Sequence, residues 1–557
     1  MADEYSYATS VSPQDTEFLF SDKQMVYIPD SNNGSYPNGQ AIFDLASISN
    51  SGKFVDWKNA VLTAPLVLNV SATGGAFSTA NVENAFCASL KSSTLQLIHS
   101  IGVEITNNSV VNLTPFSNIP ISYTLLNSIS SEEMTNLAPS LLFGKDSAES
   151  FTYNGTSNAG GLGECNNAIK ETAFASTSGW GATYTQNKGR AERMKYTSFD
   201  PASSTASKYT STTNLSAMSK NYVAYTTSNI TYYILATIPL RFVHDLFVKL
   251  PLSKGIYMRL VLNLNAQSQI VLTTDGSTYT GITSVNSPNN VLPFMLSPMG
   301  TGNGFVATGA TAITASLGIG KSVVPTTFSH PTQTSCRIYC PVMTMSPSAE
   351  ERYFSLVPTK TIRYQDILSF QILSVNPNTN FSNVLTSGVS RARGILLCPM
   401  LSATVNGSST IANQSAFTAG FNLGSPMNSP FTTCPGTMCP YSSITNLNFL
   451  ISGSALWNQN QNYKWENFLN EVRPSYGING GLSLGMSSGL ISQADFENGY
   501  GYIWADLSRK VSSASDDIAR SIQVTGFNNS NVQIDIYAYI FYEREITLST
   551  STGSLVI

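Results

Sequence analysis

The sequence predicts an all-β protein of the sandwich or barrel kind, large enough for two domains. Three observations lead there. Apolar residues recur with period two: Val532, Ile534, Ile536, Ala538 and Ile540 point one way with Gln533 and Asp535 opposite, and Ile256, Met258, Leu260, Leu262 and Leu264 alternate with Tyr257, Arg259, Val261 and Asn263. Clusters of Asn, Gly and Pro punctuate these runs, with no alternation of strand and helix that would signal a parallel sheet. The length, 557 residues and 59.9 kDa, exceeds the usual size of one domain.

Taken in order, the chain opens with a polar arm, and a first strand-rich block begins near Gln24. There "QMVYIPDSNNGSYPNGQAIFDL" places two apolar runs around a knot of turn residues. A calcium loop starting at Asp30 would need Gly at its sixth position and Glu at its twelfth, and those positions hold Ser35 and Ala41. The remaining reading is a hairpin, with Asn33–Gly34 and Asn38–Gly39 supplying left-handed positions. "SSEEMTNL" predicts a short helix, with Ser130 and Glu133 at capping-box spacing and Pro139 as its stop. Residues 147–228 and 273–322, rich in Ser, Thr, Asn and Gly, read as long loops. A second strand-rich block opens near Tyr353 with "YFSLVPTKTIRYQDILSFQIL". Its one helix is "WENFLNEVRP", with Trp465, Phe468, Leu469 and Val472 on one face and Pro474 ending it. Each block therefore has a strand-rich opening, one clear helix and long closing strands, a two-fold echo in architecture that is not an echo in letters.

Composition excludes several function classes. Charged residues are 11% of the chain while hydrophobics are 42%, against about 25% charged in ordinary globular proteins. That describes a folded protein with a neutral surface of hydroxyls and amides. A net charge of −4, with only 29 Lys and Arg and no basic block, argues against a strong nucleic-acid-binding face. No apolar run reaches the roughly 18–20 residues a membrane helix needs, and "MADEYSYATS" is not a signal peptide. Seven cysteines in so long a chain read as buried thiols.

Three patterns imitate chemistry. "GMSSG" around Ser487 matches a nucleophile elbow, but that order requires a histidine after the serine, and His99, His244 and His330 all precede it. "ASLGIGKS", Ala315–Ser322, resembles a phosphate loop, yet "VVPTTF" follows where a helix must begin. Cys336 with Cys340, and Cys434 with Cys439, have spacings that can hold zinc or pair as disulfides, with His330 or Cys398 as further ligands. They lie beside prolines without a knuckle pattern and read as buried or loop cysteines. The acidic pairs Glu132–Glu133, Asp495–Glu497 and Asp516–Asp517 read as helix starts or turns rather than as a glycosidase pair, and His244 reads as a packed imidazole. The N-x-S/T sequons are those an Asn-, Ser- and Thr-rich chain contains by chance. The sequence assigns no catalytic, cofactor-binding or metal-binding residue, and no cofactor.

Several segments, in a fixed order, resemble double jelly-roll major capsid proteins of the virophage and polinton-like virus type. They are "VYIPDSNNGSYPNGQAIFDLASISNSGKFVDWKNAVLTAPLVL", "IPLRFVHDLFVKLPLSKGIYMRLVLNLN", "SAEERYFSLVPTKTIRYQDILSFQIL", "FSNVLTSGVSRARGILLCPML", "NLNFLISGSALWNQNQNYKWENFLNEV", "SSGLISQADFENGYGYIWADLSR" and "SIQVTGFNNSNVQIDIYAYIFYEREITL". The resemblance implies an N-terminal arm over 1–23, a first jelly roll over 24–330, a second over 331–548 and a tail over 549–557. It further implies a non-enzymatic virion subunit, assembled in the host cell as homotrimeric, pseudo-hexameric capsomers. Its partners would be neighbouring capsomers, penton proteins and minor capsid or cement proteins. The long loops would be outward towers or trimer clasps, and the arm and tail would tie neighbouring subunits together. The competing reading is a β-sandwich adhesin or glycan-binding surface protein.

Overall fold

The computed structural model describes residues 19–77, 88–145, 221–225, 227–274, 279–296, 307–323, 333–402, 443–472, 489–510, 517–530 and 533–556, with short pieces at 151–152, 164–165, 189, 193 and 427. Alternation builds the first barrel. Its main strands are β1 (Phe20–Pro29), β2 (Gln40–Asp44), β3 (Val61–Thr73), β4 (Ile98–Ile105), β5 (Asn108–Val111), β6 (Asn229–Pro239) and β7 (Met258–Leu264). A hairpin of β8 (Ser268–Thr274) and β9 (Tyr279–Asn286) follows, then β10 (Ala312–Ile319) and β11 (Arg337–Met345).

β3 pairs with β6 along its length, with β11 at its start and with β10 at its end. A strand has two sides, so β10 and β11 share the side opposite β6 and together fill one strand position. β1 then pairs with β11 antiparallel, Ile28 opposite Ile338, with a bulge between Phe20 and Asp22. With β10 and β11 counted as the eighth strand, one sheet has the order first-eighth-third-sixth. The other, β2-β7-β4-β5, has the order second-seventh-fourth-fifth.

The second barrel repeats this order. Its strands are β12 (Thr359–Val375), β13 (Thr379–Val389), β14 (Ala392–Leu401), β15 (Ile444–Ile451), β16 (Ser454–Ala455), β17 (Ile503–Asp506), β18 (Arg520–Asn528) and β19 (Ile534–Ser549). They form the sheets β12-β19-β14-β17 and β13-β18-β15-β16.

This topology corrects the hairpin expected over Gln24–Leu45. β1 and β2 lie in opposite sheets, so the segment between them is a corner. Its turn chemistry is as expected at Asn33, Gly34 and Gly39, whose φ values are 54°, 79° and 68°. The Asp30 carboxylate accepts the Gly34 N–H at 3.2 Å, and Asn32 Oδ1 accepts the Ile42 N–H at 3.0 Å. A Cβ at Gly34 would meet the Thr334 carbonyl at 2.8 Å, so only glycine fits against this wall. Past residue 330, β11 joins the sheet of β1. The tail, expected to reach other subunits, folds back as far as it is described. Leu555–Val556 pairs with Thr547 and Leu548, and the Thr550 hydroxyl donates to the Val357 carbonyl.

The main helices among the described residues are α1 (Asn118–Ser128), α2 (Ser131–Leu141), α3 (Asp245–Lys249), α4 (Pro347–Leu356), α5 (Trp465–Val472) and α6 (Gln493–Asn498). The capping box of α2 is present in both directions, Ser130 to Glu133 and back. Pro139 does not end this helix, because in the last turn its missing N–H costs only one bond. α4 occupies residues expected to be strand at Tyr353–Leu356. Pro347 sits in its first turn and Glu350 follows there, both favourable at a helix start.

The wall between the barrels is buried on both faces. Ile395, Leu397, Ile534, Ile536, Ala538 and Ile540 pack inside the second barrel. Leu396, Cys398, Met400, Tyr539 and Phe541, on the other face of the same strands, join the core that extends through the first barrel. α1 is sandwiched in this layer and buried nearly all round, which requires its apolar residues on every side.

Candidate functional site at the junction of the barrels

The junction is held by a charged centre and by stacked rings. Asp366, on β12, occupies a position where alternation with Ile362 and Tyr364 turns the side chain inward, and it is 2% exposed. It accepts hydrogen bonds from Arg544 Nη1 at 3.0 Å, the Tyr542 hydroxyl at 3.1 Å and the Ile367 N–H at 2.8 Å. His244 of the first barrel lies 3.4 Å away through Nε2. Because His244 Nδ1 accepts the Leu246 N–H at the start of α3, Nε2 carries the proton and donates to Asp366. Burial works against the charge on Asp366, but the bonds from His244, Arg544 and the Ile367 N–H outweigh it and hold the carboxyl below its ordinary value. Asp245, next to His244, accepts the Gln365 N–H at 2.9 Å and ties α3 to β12 again.

Two aromatic chains cross the same boundary. His99 meets Phe116 edge-on at 5.0 Å, and Phe116 meets Tyr537 of β19 at 5.3 Å. Tyr123 of α1 stacks on Trp504 at 5.7 Å and meets Tyr502 edge-on at 4.9 Å. Such pairs contribute about 0.5–1.5 kcal/mol each beyond their burial. Trp504 in turn lies over Gly394, where a Cβ would stand 2.2 Å from the indole. Backbone acceptors complete the seam. The Tyr539 hydroxyl donates to the Phe116 carbonyl at 3.1 Å and the Thr114 hydroxyl to the Ile367 carbonyl at 2.8 Å. Lys145 reaches Asp495 at 2.7 Å. Burial lowers the His99 pKa to about 4.

Of the residues that imitated chemistry, those that are described do not form a metal site. Ser487, His330, Cys434, Cys439 and Asp516 lie outside the described residues. Ala315–Ile319 is the end of β10 and is followed by a turn. Cys336 and Cys340 are buried thiols in the first barrel, and burial pushes both up to about 12. Cys398 is a buried thiol in the shared wall. Asp495 caps α6 in a reciprocal box with Ser492, and Glu132 and Glu133 start α2. Among the described residues no group of three His, Cys, Asp or Glu side chains could hold a metal ion, and no helix is long and apolar enough to cross a membrane. Sequence reasoning missed Asp366. Its signal was an acid at an inward parity of "TIRYQDILSF", which demands a buried partner.

Among the described residues β1 is the outer edge of the first barrel and pairs with β11 alone. Its outward residues Met25 and Tyr27 are 64% and 53% exposed, and Arg337 lies over the Tyr27 ring at 5.0 Å. A long, exposed, partly apolar edge is unusual in a protein that works alone.

No family model matches the chain, and no curated protein does. Among solved structures, a chain of the Sputnik virophage, determined by cryo-EM, matches 98% of this chain and 90% of its own length, with a TM-score of 0.52 and 11% identity. The chain is a double jelly roll. The mavirus major capsid protein aligns over 100% of this chain and 94% of its own, at 10% identity and a TM-score of 0.43. The faustovirus major capsid protein aligns over 96% and 92%, at 9% identity and a TM-score of 0.41. In this double jelly roll the junction is a structural centre, where His244, Asp245, Thr114, Tyr123 and Lys145 of the first barrel meet Asp366, Gln365, Ile367, Trp504 and Asp495 of the second.

Proposed function

We propose that this double jelly roll is the major capsid protein of an icosahedral double-stranded DNA virus, a non-enzymatic subunit of the virion assembled inside the host cell. The observation that carries this reading is the match to the Sputnik virophage chain over nearly the whole of both chains. The physics of the fold supports it. Two barrels of the same strand order, fixed side by side by a double-faced wall, present two similar outlines. Three copies closed around an axis then give a block with six similar sides, the shape that tiles a closed shell. The exposed β1 edge supplies surface for contacts between copies, and low charge density limits repulsion between them. Penton and minor capsid or cement proteins are the further partners this role requires.

Light scattering of the purified chain is expected to give a trimer of the 59.9 kDa subunit, and negative-stain images to show particles of hexagonal outline. A strict monomer at micromolar concentration, with or without oligosaccharide bound, would overturn the reading.

A further inference from the structure

A cleft of about 470 Å³ opens where α1, the segment from Arg241 to Lys249 and strand β12 meet. Its size lies within the usual range of small-ligand sites. The floor is apolar, made by Ile121, Leu125, Phe242, Val248, Ile367 and Phe541. Three cations, Lys58, Arg241 and Lys249, stand on its walls against a single carboxylate, Asp245, which already accepts the Gln365 N–H. Among the described residues none of the three cations forms an ion pair. Arg241 lies over the Phe242 ring at 5.0 Å, and its Nε is buried without a hydrogen-bond partner. A buried guanidinium donor left open next to a greasy floor is costly unless an acceptor fills it.

We infer that this cleft binds an amphipathic anion, with a carboxylate or phosphate on Arg241 and Lys249 and an aliphatic chain along Leu125, Ile367 and Phe541. The positive walls exclude a neutral hydrocarbon as the preferred guest, and the apolar floor excludes a bare inorganic anion. The same head-and-tail chemistry is offered by a free fatty acid and by an anionic lipid in a bilayer. Val248, 36% exposed, leaves the apolar floor open to either. This site is independent of the assembly role proposed above, since it is complete within one chain.

The test uses the full-length protein and isothermal titration calorimetry with decanoate, 1-decanol and inorganic phosphate. Decanoate is expected to bind with a Kd on the order of 0.1 mM. Decanol and phosphate should each bind at least about tenfold more weakly. The double substitution Arg241→Gln, Lys249→Gln should weaken decanoate by about tenfold or more while leaving decanol unchanged. Thr124→Trp, which fills the cleft from α1, should weaken both, and an unchanged thermal transition shows that each variant folds. Sedimentation with vesicles separates the sources. Phosphatidylglycerol vesicles that carry down the wild type but not the charge variant identify a membrane headgroup. Decanoate binding without sedimentation identifies a free amphiphile. No decanoate binding up to about 5 mM, equal affinity for decanol or phosphate, or a charge variant that binds like the wild type would overturn the inference.

Discussion

Replacing Asp366 with alanine removes the one acceptor that Arg544, Tyr542 and His244 share, and it leaves their donors facing a void at the seam between the barrels. The structure sets the size of the effect. Asp366 is 2% exposed, so its bonds are made out of water. Breaking a buried ion pair by removing one partner costs about 3–5 kcal/mol. The Arg544 side chain keeps 26% of its exposure and a second contact, to the Ser109 carbonyl at 3.4 Å, which recovers part of that loss. The expected cost is therefore near the lower end, about 3 kcal/mol. Urea denaturation of wild type, Asp366→Ala, Arg544→Met and the double variant measures it as a cycle. The double variant should cost less than the sum of the singles by more than about 1 kcal/mol, because the pair is lost only once. A single-variant loss below about 1 kcal/mol, or strict additivity, would refute the assignment of Asp366 as the junction's charged centre. The pH dependence has a definite sign. The folded carboxyl titrates below its unfolded value, so this stabilisation is complete above the unfolded carboxylate pKa of about 3.9 and is lost as pH falls through the lower folded value.

His99 acts in a higher window and by the opposite state. It is kept neutral in the fold, with its pKa lowered from 6.5 to about 4, so stability is full above pH 6.5 and falls as the pH drops from there toward 4. At about 1.4 kcal/mol per unit, discounted for partial exposure, roughly 2 kcal/mol should be lost, and His99→Gln should flatten this limb of a stability–pH curve. Gly394→Ala drives a methyl into the Trp504 indole and should cost about 1–3 kcal/mol by the shift of its denaturation midpoint; a neutral result would mean that Trp504 does not lie there. Cys336, Cys340 and Cys398 should resist a thiol reagent in the native protein and react on denaturation, as read by mass spectrometry of the labelled peptides. Fast native labelling of any of them would contradict its burial.

Much of this fold is legible in the letters. The alternations at Ile256–Leu264 and Ile534–Ile540 bury the residues they should, and α5 and the capping box of α2 stand where their signals lie. What escaped is what depends on partners distant in sequence. α1 carries no helical stripe because both barrels cover it, so its period is invisible. β1 and β2 look like a hairpin because turn chemistry is local, whereas the choice of sheet is decided by β11 and β7, far along the chain. The junction is the least legible part. Asp366, Arg544 and His244 lie on three separate segments, and only the odd parity of one acid hints at them.

The helix buried nearly all round also sets a schedule for the ribosome. α1 is complete once Ser128 is made, but Trp504 and Phe541, which finish its cover, follow only about 380–410 residues later. At 5–20 residues per second that interval is tens of seconds. Through it the nascent chain carries an apolar rod with an open flank, and β1 waits almost as long for β11. Apolar surface left open that long favours aggregation, so a fragment ending before Trp504 is expected to be less soluble than the full chain.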